Sequence, residues 1–228
     1  MRLCRFGAAH RPRLAPGSMK IRASRVETLA ERAVAIDVEY VHVRLVGEDG
    51  RYKKLQLPAE VCLVGSDGCP ILLTTIDAVS EVEVQADDEL SHDGGLSFED
   101  IQSKPLLSEV RRQLVELMNE RLVVGHNLAK DLMALGIDEK MVHPSRRRDT
   151  MSYASLQNEK GCGRSLAELA QSKLGRTIQR GDRHCAAEDA KATMELYLGF
   201  CHFDESLMSY DDLVEYHVSK FLAGTQNQ

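Results

Sequence analysis

The chain has 228 residues, 43% hydrophobic and 28% charged, an ordinary globular composition that argues against a disordered, collagen-like or disulfide-stapled protein. No apolar run approaches the ~18 residues a membrane-spanning helix needs, and the six cysteines (Cys4, Cys62, Cys69, Cys162, Cys185, Cys201) lack a CxxC pair, so they read as reduced thiols rather than a zinc site. The net charge of −6 is uneven: seven of the 29 basic residues and none of the 35 acids fall in residues 1–26, leaving 22 against 35, a net −13, for the rest, which argues against holding nucleic acid through a broad basic surface.

In chain order, residues 1–26 have no hydrophobic period and contain Pro12, Pro16 and Gly17. Such an Arg-rich, acid-free stretch fits a mitochondrial or plastid transit peptide, a basic arm, or sequence ahead of a start at Met19. The domain proper is expected over residues 27–202, with 203–228 a C-terminal helix and tail. The short β-branched run Ala33–Val41 predicts a buried strand, and Val61–Val64 and Ile71–Ile76 two more, joined by hairpin chemistry at Gly65-Ser66-Asp67-Gly68. Residues 81–100, acidic and glycine-containing, are expected to be a solvated connection.

Helical periods follow. Leu107, Val110, Leu114 and Leu117 form one apolar stripe, Leu122–Val124 is a short strand ending at Gly125, and Asn127–Leu135 predicts a helix closed by Gly136. Arg146-Arg147-Arg148 reads as a solvated loop, with a substrate-backbone contact as the alternative. Ser165-Leu166-Ala167-Glu168 is a capping box opening a helix that stops at Gly175. Ala187–Phe200 and Asp211–Leu222, the latter with Leu213, His217 and Phe221 in phase, are the last helices. The sum is a mixed α/β domain without internal repeats.

Three places interrupt the apolar pattern with charge. Asp37 and Glu39 share one face of a strand whose flanks mark it as central, and paired carboxylates there repel and lose solvation unless a cation lies between them. The alternative is a strand end emerging into water. Asp131 falls within the buried stripe Leu128, Leu132, Leu135, where a salt bridge or a cap would also account for it. Asp189 sits near the start of a helix beside Ala190, Met194 and Tyr197, and His184, five residues earlier, belongs to the preceding loop as a candidate general base.

The order Asp-x-Glu, Asp, His-x4-Asp resembles the DEDDh 3′→5′ exonucleases. Three blocks carry the likeness: Ala35-Ile36-Asp37-Val38-Glu39, then Leu122-Val123-Val124-Gly125-His126 with Asp131 five residues on, then His184–Asp189 running on to Tyr197. Arg148-Asp149-Thr150 with Tyr153, Ser165-Leu166, Leu174-Gly175 and Gly95-Leu96-Ser97-Phe98-Glu99-Asp100 further resemble the RNA exonuclease 4-like branch, which includes the interferon-stimulated exonuclease. Two positions depart from that branch: Tyr40 stands where methionine usually follows the acid, and Gly94 where serine usually stands. The likeness covers roughly residues 33–200, about three quarters of the chain.

This resemblance implies an RNase H-like fold and a metal-dependent 3′→5′ exonuclease that releases nucleoside 5′-monophosphates, most naturally from RNA. It implies two divalent cations, Mg²⁺ or Mn²⁺, with Asp37 bridging both, Glu39 and Asp189 completing the first and Asp131 helping to hold the second, and His184 as the base. Tyr40, Gly95, Leu96, Ser97, His126 and Arg148 are the expected substrate contacts, although His126 also reads as structural. The partner implied is a nucleic acid with a free 3′ end, RNA before DNA, and no membrane; the location implied is nuclear or nucleolar, against the organellar hint of the arm. A proofreading-type DNA exonuclease and a non-catalytic RNase H-like binding module are the rival readings, the second opposed by the presence of all five site residues. Oxidoreductase and kinase readings lack a GxGxxG or GxxxxGK[ST] loop.

Overall fold

Ala33–Val46 form β1, longer than the expected strand at 33–41, because β2 (Tyr52–Gly65) runs antiparallel beside it from Val34↔Gly65 to Val46↔Tyr52. The computed structural model describes residues 32–46, 51–82, 89–91, 96, 98–180 and 184–201; the arm at 1–26, the expected helix at 211–222 and the positions Gly94, Gly95 and Ser97 lie outside the described residues. The outer part of the hairpin is packed as well as paired: Val43 and Leu57 are buried in the core and Leu55 lies against it, alternating with polar residues beyond the continuous apolar run. A tight turn, in which Gly65 N–H donates to Cys69 O at 2.9 Å, leads into β3 (Pro70–Thr75), which pairs antiparallel with β2.

The stretch 81–100 is not simply a solvated connection. Glu89–Ser91 form β4, paired with β1 at His42–Arg44, and a short helix, α1 (Phe98–Ile101), closes the stretch with Ile101 buried. Polar composition conceals such a strand because ladder hydrogen bonds use the backbone. A helix α2 (Leu107–Met118) buries Val110, Leu114 and Met118, with Leu107 and Leu117 flanking that axis.

Two parallel strands complete the sheet: β5 (Leu122–Gly125) beside β1, and β6 (Arg147–Asp149) beside β5, giving the order β3-β2-β1-β5-β6 with β4 off this path on β1. Arg147 and Arg148 are therefore strand residues rather than loop, with Arg146 ending the 3₁₀ turn (Pro144–Arg146) before them. Arg147 pairs with Glu139 at 2.7 Å, and Arg148 is 1% exposed, its Nη1 donating to Ser145 O and Arg147 O.

Alternation along β1 divides the core in two. Val34, Ile36 and Val38 face one layer with α2 and α3 (Leu128–Ala134), while Ala33 and Ala35 face the other with α4 (Leu166–Lys173) and α5 (Ala186–Leu196). The capping box at Ser165/Glu168 opens α4 as the sequence indicated, and Gly136, at φ +64°, closes α3. The α-helix expected over 187–200 changes at Tyr197 into a π-helical turn, Tyr197–Cys201. The mixed sheet between helical layers matches the expected α/β class. No helix among the described residues is long and apolar enough to cross a membrane.

Gly125 joins β5 to α3 where no side chain fits: a Cβ there would lie 2.7 Å from Leu128 Cβ and 2.8 Å from its Cα. Gly125→Ala should therefore displace α3 and destabilise the fold by about 1–3 kcal/mol, as overpacking does; urea unfolding measures it.

Candidate active site

The site opens where β1 loses its neighbour. β5 pairs with β1 only through Ala35↔Val124, and β4 resumes pairing on β1 at His42. Between these contacts the chain that leaves β5 turns away into α3, so Asp37 and Glu39 face a cavity of about 780 Å³ in the middle of a strand rather than at its end. The alternative of a strand end reaching water is thereby removed. Both acids continue the Ala33/Ala35 side of β1, as period-two alternation requires. The β1–β2 register then slips between Glu39 and Tyr40, passing over Ala59 and placing Pro58, which has no N–H, opposite Tyr40. Tyr40 packs against the cluster on the Val38 side of β1, as alternation requires, and both it and Glu39 line the cavity.

Asp131, 6% exposed, reaches the cavity from α3, and Tyr40 Oη donates to its Oδ1 at 3.1 Å. Lys130 Nζ lies 4.6 Å from the Tyr40 ring centroid. The start of α3 is set from β6: Asp149 accepts the N–H groups of Asn127, Leu128 and Met151, each at 3.0 Å. That arrangement fixes Asn127 in the left-handed region at φ +68° and aims the following turn, with Asp131, into the cavity.

The third wall is the first turn of α5. Asp189 is 2% exposed; its Oδ2 accepts from Gln179 Nε2 at 2.6 Å, and its Oδ1 is buried without a hydrogen-bond partner. Glu60, opposite Glu39 on β2, accepts the Ala186 N–H at 3.3 Å and so ties the head of α5 to the sheet. His184 sits in the coil before α5, 45% exposed, with Nδ1 4.0 Å from Glu39 Oε2. Ligand atoms of Glu39, His184 and Asp189 lie within 4.8 Å of one another.

The cavity thus gathers Asp37, Glu39, Asp131, Asp189 and His184, with Tyr40 and His126 also in its wall. His126 is pinned there, its Nδ1 2.8 Å from Thr150 Oγ1, which agrees with the structural reading of that residue. Two expected substrate contacts lie elsewhere. Leu96 is 4% exposed and its side chain belongs to the core beneath α2, and Arg148 is enclosed by its own strand, so neither side chain faces the cavity. Motif proximity in sequence does not report which way a side chain points. Tyr153 is also a core residue. Gly95 and Ser97 lie outside the described residues. Lys130, Gln179 and Asp149 join the site without having stood out in the sequence; only the Asp149 motif carries a signal there, since a lysine on a helix and a glutamine in a loop are unremarkable.

Residues 34–197 match the exonuclease family RNase T. The chain belongs to that family. This exonuclease-family hydrolase is 30% identical over 169 residues to RNA exonuclease 4 of Homo sapiens, covering 73% of this chain and 36% of the relative. It is 31% identical over 166 residues to RNA exonuclease 4 of Cryptococcus neoformans, covering 72% and 37%. The chain spans about a third of the length of these curated relatives. Among solved structures, the Saccharomyces cerevisiae Pan2 pseudoubiquitin hydrolase–RNA exonuclease module in complex with AAUUAA RNA superposes with TM-score 0.58 at 24% identity, over 85% of this chain and 32% of that one. The Neurospora crassa Pan2 catalytic unit gives 0.58 at 21% identity, over 86% and 30%. These likenesses establish the RNase H-like fold.

The family is typically metal-dependent, and the donor chemistry here fits a hard divalent cation. The wall supplies carboxylate oxygens, one of them buried without a partner, and each acid opposes ionisation of the others. Burial, then the neighbouring carboxylates, push Asp37 well above the usual range and Glu39 up to about 7; Asp131 is likewise raised to about 7 by burial, against the Tyr40 hydrogen bond and the Lys130 charge. Asp189 is raised by burial in spite of the Gln179 hydrogen bond. Such groups bind protons more tightly folded than unfolded, so their contribution to stability is present below their unfolded values and is lost as pH rises through about 7. The metal-free protein should therefore lose stability from this cluster between about pH 4.5 and 7. Mn²⁺ should raise Tm more at pH 8 than at pH 5 and release protons on binding; thermal melts and calorimetry in buffers of different ionisation enthalpy measure both.

Proposed function

We propose that this domain is a 3′→5′ exonuclease that removes nucleoside 5′-monophosphates from the 3′ end of RNA. The observation that carries the reading is the convergence of Asp37, Glu39, Asp131 and Asp189, from β1, α3 and α5, on one cavity with His184 at its rim. RNA is favoured over DNA because the relatives are RNA exonuclease 4 and the RNA exonuclease module of Pan2. The presence of every acid opposes a purely binding role.

On this reading Asp37, Glu39, Asp131 and Asp189 hold two divalent cations, Mg²⁺ or Mn²⁺. When bound, the ions lower the pKa of a water and neutralise charge developing on the leaving 3′ oxygen. The burial that raises the acids' pKa values reserves their ionised form for a cation, so the cluster is a strong ligand set only when occupied. His184 Nδ1 is turned toward Glu39, which leaves Nε2 to take the proton of the attacking water. Water oxygen adds to phosphorus, the bond from phosphorus to the preceding nucleotide's 3′ oxygen breaks, and the 5′-monophosphate departs. Because His184 is exposed while three of the acids are buried, its ring is free to move with substrate. Tyr40 and His126, in the cavity wall, are the expected substrate contacts whose side chains remain in position for that role.

Matched 3′-labelled single-stranded RNA, single-stranded DNA and duplex DNA, with Mg²⁺, Mn²⁺ or chelator, test the proposal. Metal-dependent release of labelled mononucleotide, fastest on RNA, is the expected result, and faster DNA turnover would favour the repair-type alternative. Asp37→Ala or Asp189→Ala should abolish release; full activity in either sinks the site assignment. His184→Ala should lower kcat by about 10²–10⁴-fold, and a loss below tenfold would assign the base elsewhere.

A further inference from the structure

Four non-glycine residues among those described adopt positive φ: Ser103, Glu120, Asn127 and Gln179; of these, Asn127 and Gln179 line the cavity. The left-handed conformation of Gln179, φ +57°, is disfavoured for a side chain of its size. It is retained by contacts on both sides. The preceding Ile178 is buried in the core under α5, and the backbone N–H of Gln179 donates to Glu188 Oε2 at 3.1 Å. The side-chain amide then donates to Asp189 Oδ2 at 2.6 Å. Because an ionised carboxylate only accepts, the amide must present its NH₂ group there. One loop residue is thus tied twice to the first turn of α5, once to each of two consecutive acids.

The two Asp189 oxygens are left in opposite states: Oδ2 is engaged by Gln179, and Oδ1 is buried with no partner. A carboxylate rotates over a broad, nearly two-fold torsion, so a donor on one oxygen fixes the plane and the direction of the other. We infer that Gln179 is a positioning residue for the proposed metal site, holding Asp189 Oδ2 so that Oδ1 is presented to a divalent cation. This rests on the proposed function above and assigns to the loop before His184 a part in building the site. A neutral amide suits the task. Arginine or lysine would hold the carboxylate as firmly but cancel the charge that the cation needs, whereas glutamine orients it and leaves the charge in place. The strained φ follows from the same requirement, since it lets backbone and side chain of one residue reach neighbouring positions on α5.

The test compares the 228-residue wild-type chain with Gln179→Met and Gln179→Gly. Methionine keeps the volume and the backbone conformation but removes the donor; glycine removes the donor and relieves the positive φ. Mn²⁺ affinity by calorimetry on the metal-free protein should weaken by about 10–100-fold in both, the usual effect of losing a partner behind a metal ligand. Tm of the metal-free protein should fall in Gln179→Met, which leaves Asp189 Oδ2 without its donor, and fall less in Gln179→Gly, where relief of the positive φ offsets part of that loss. On single-stranded RNA at subsaturating Mn²⁺, kcat should fall with KM unchanged. Wild-type Mn²⁺ affinity in Gln179→Met overturns the inference, as does a rise in RNA KM with metal affinity intact, which would make Gln179 a substrate contact. A wild type that takes up no Mn²⁺ overturns the proposed function itself, and the inference with it.

Discussion

Mutual repulsion among carboxylates in a gap along one strand is the constraint on which this structure turns. β1 is paired on one edge along its length by β2, but on the other only at its beginning by β5 and further on by β4. Asp37 and Glu39 occupy the interval, and Asp131 and Asp189 converge from helices on opposite layers. Crowding acids in partial burial is costly, and the fold tolerates it because the two apolar clusters around them are continuous and close-packed. What stabilises the acids locally is mostly neutral: the Tyr40 hydroxyl on Asp131 and the Gln179 amide on Asp189, with Lys130 the nearby cation. Neutral donors orient carboxylates without cancelling their charge, which keeps the cluster open to a cation.

The same constraint explains how an acidic body can address a polyanion. With a net −13 outside the first 26 residues, long-range attraction to nucleic acid is weak, so phosphate has to be neutralised within the site. Under the proposed function, cations held by the acid cluster would supply that neutralisation locally. His184 stands apart from the acids in exposure, as the proposed base role requires.

Legibility in the sequence followed the kind of interaction that holds each part. Elements held by side-chain burial, such as the first half of β1, α2, α3 and α4, were readable from apolar spacing, and the capping box of α4 and Gly136 gave their ends. Elements whose residues are mostly polar were not: β4 inside an acidic stretch and β6 within an arginine run, while the outer hairpin, which buries Val43 and Leu57, lay beyond the continuous apolar run that was read. Inward acids were legible because charge in an apolar face violates the local pattern, whereas Gln179, in an aperiodic loop, violates nothing. Arg148 and Leu96 stand in motif segments, and only the structure shows that their side chains are enclosed.

By itself, then, the sequence determined which carboxylates point inward, which side of β1 two of them share, and where most core helices begin and end, because these depend on residue spacing and local hydrogen bonding. Only the tertiary structure decided that the four acids meet in one cavity, that Tyr40 joins the same wall through its hydrogen bond to Asp131, and that Gln179 faces one oxygen of Asp189 while the other is left bare. These depend on where a strand loses its neighbour and how two helical layers close over the gap, relations between residues up to 152 positions apart (Asp37 to Asp189) that no local pattern encodes.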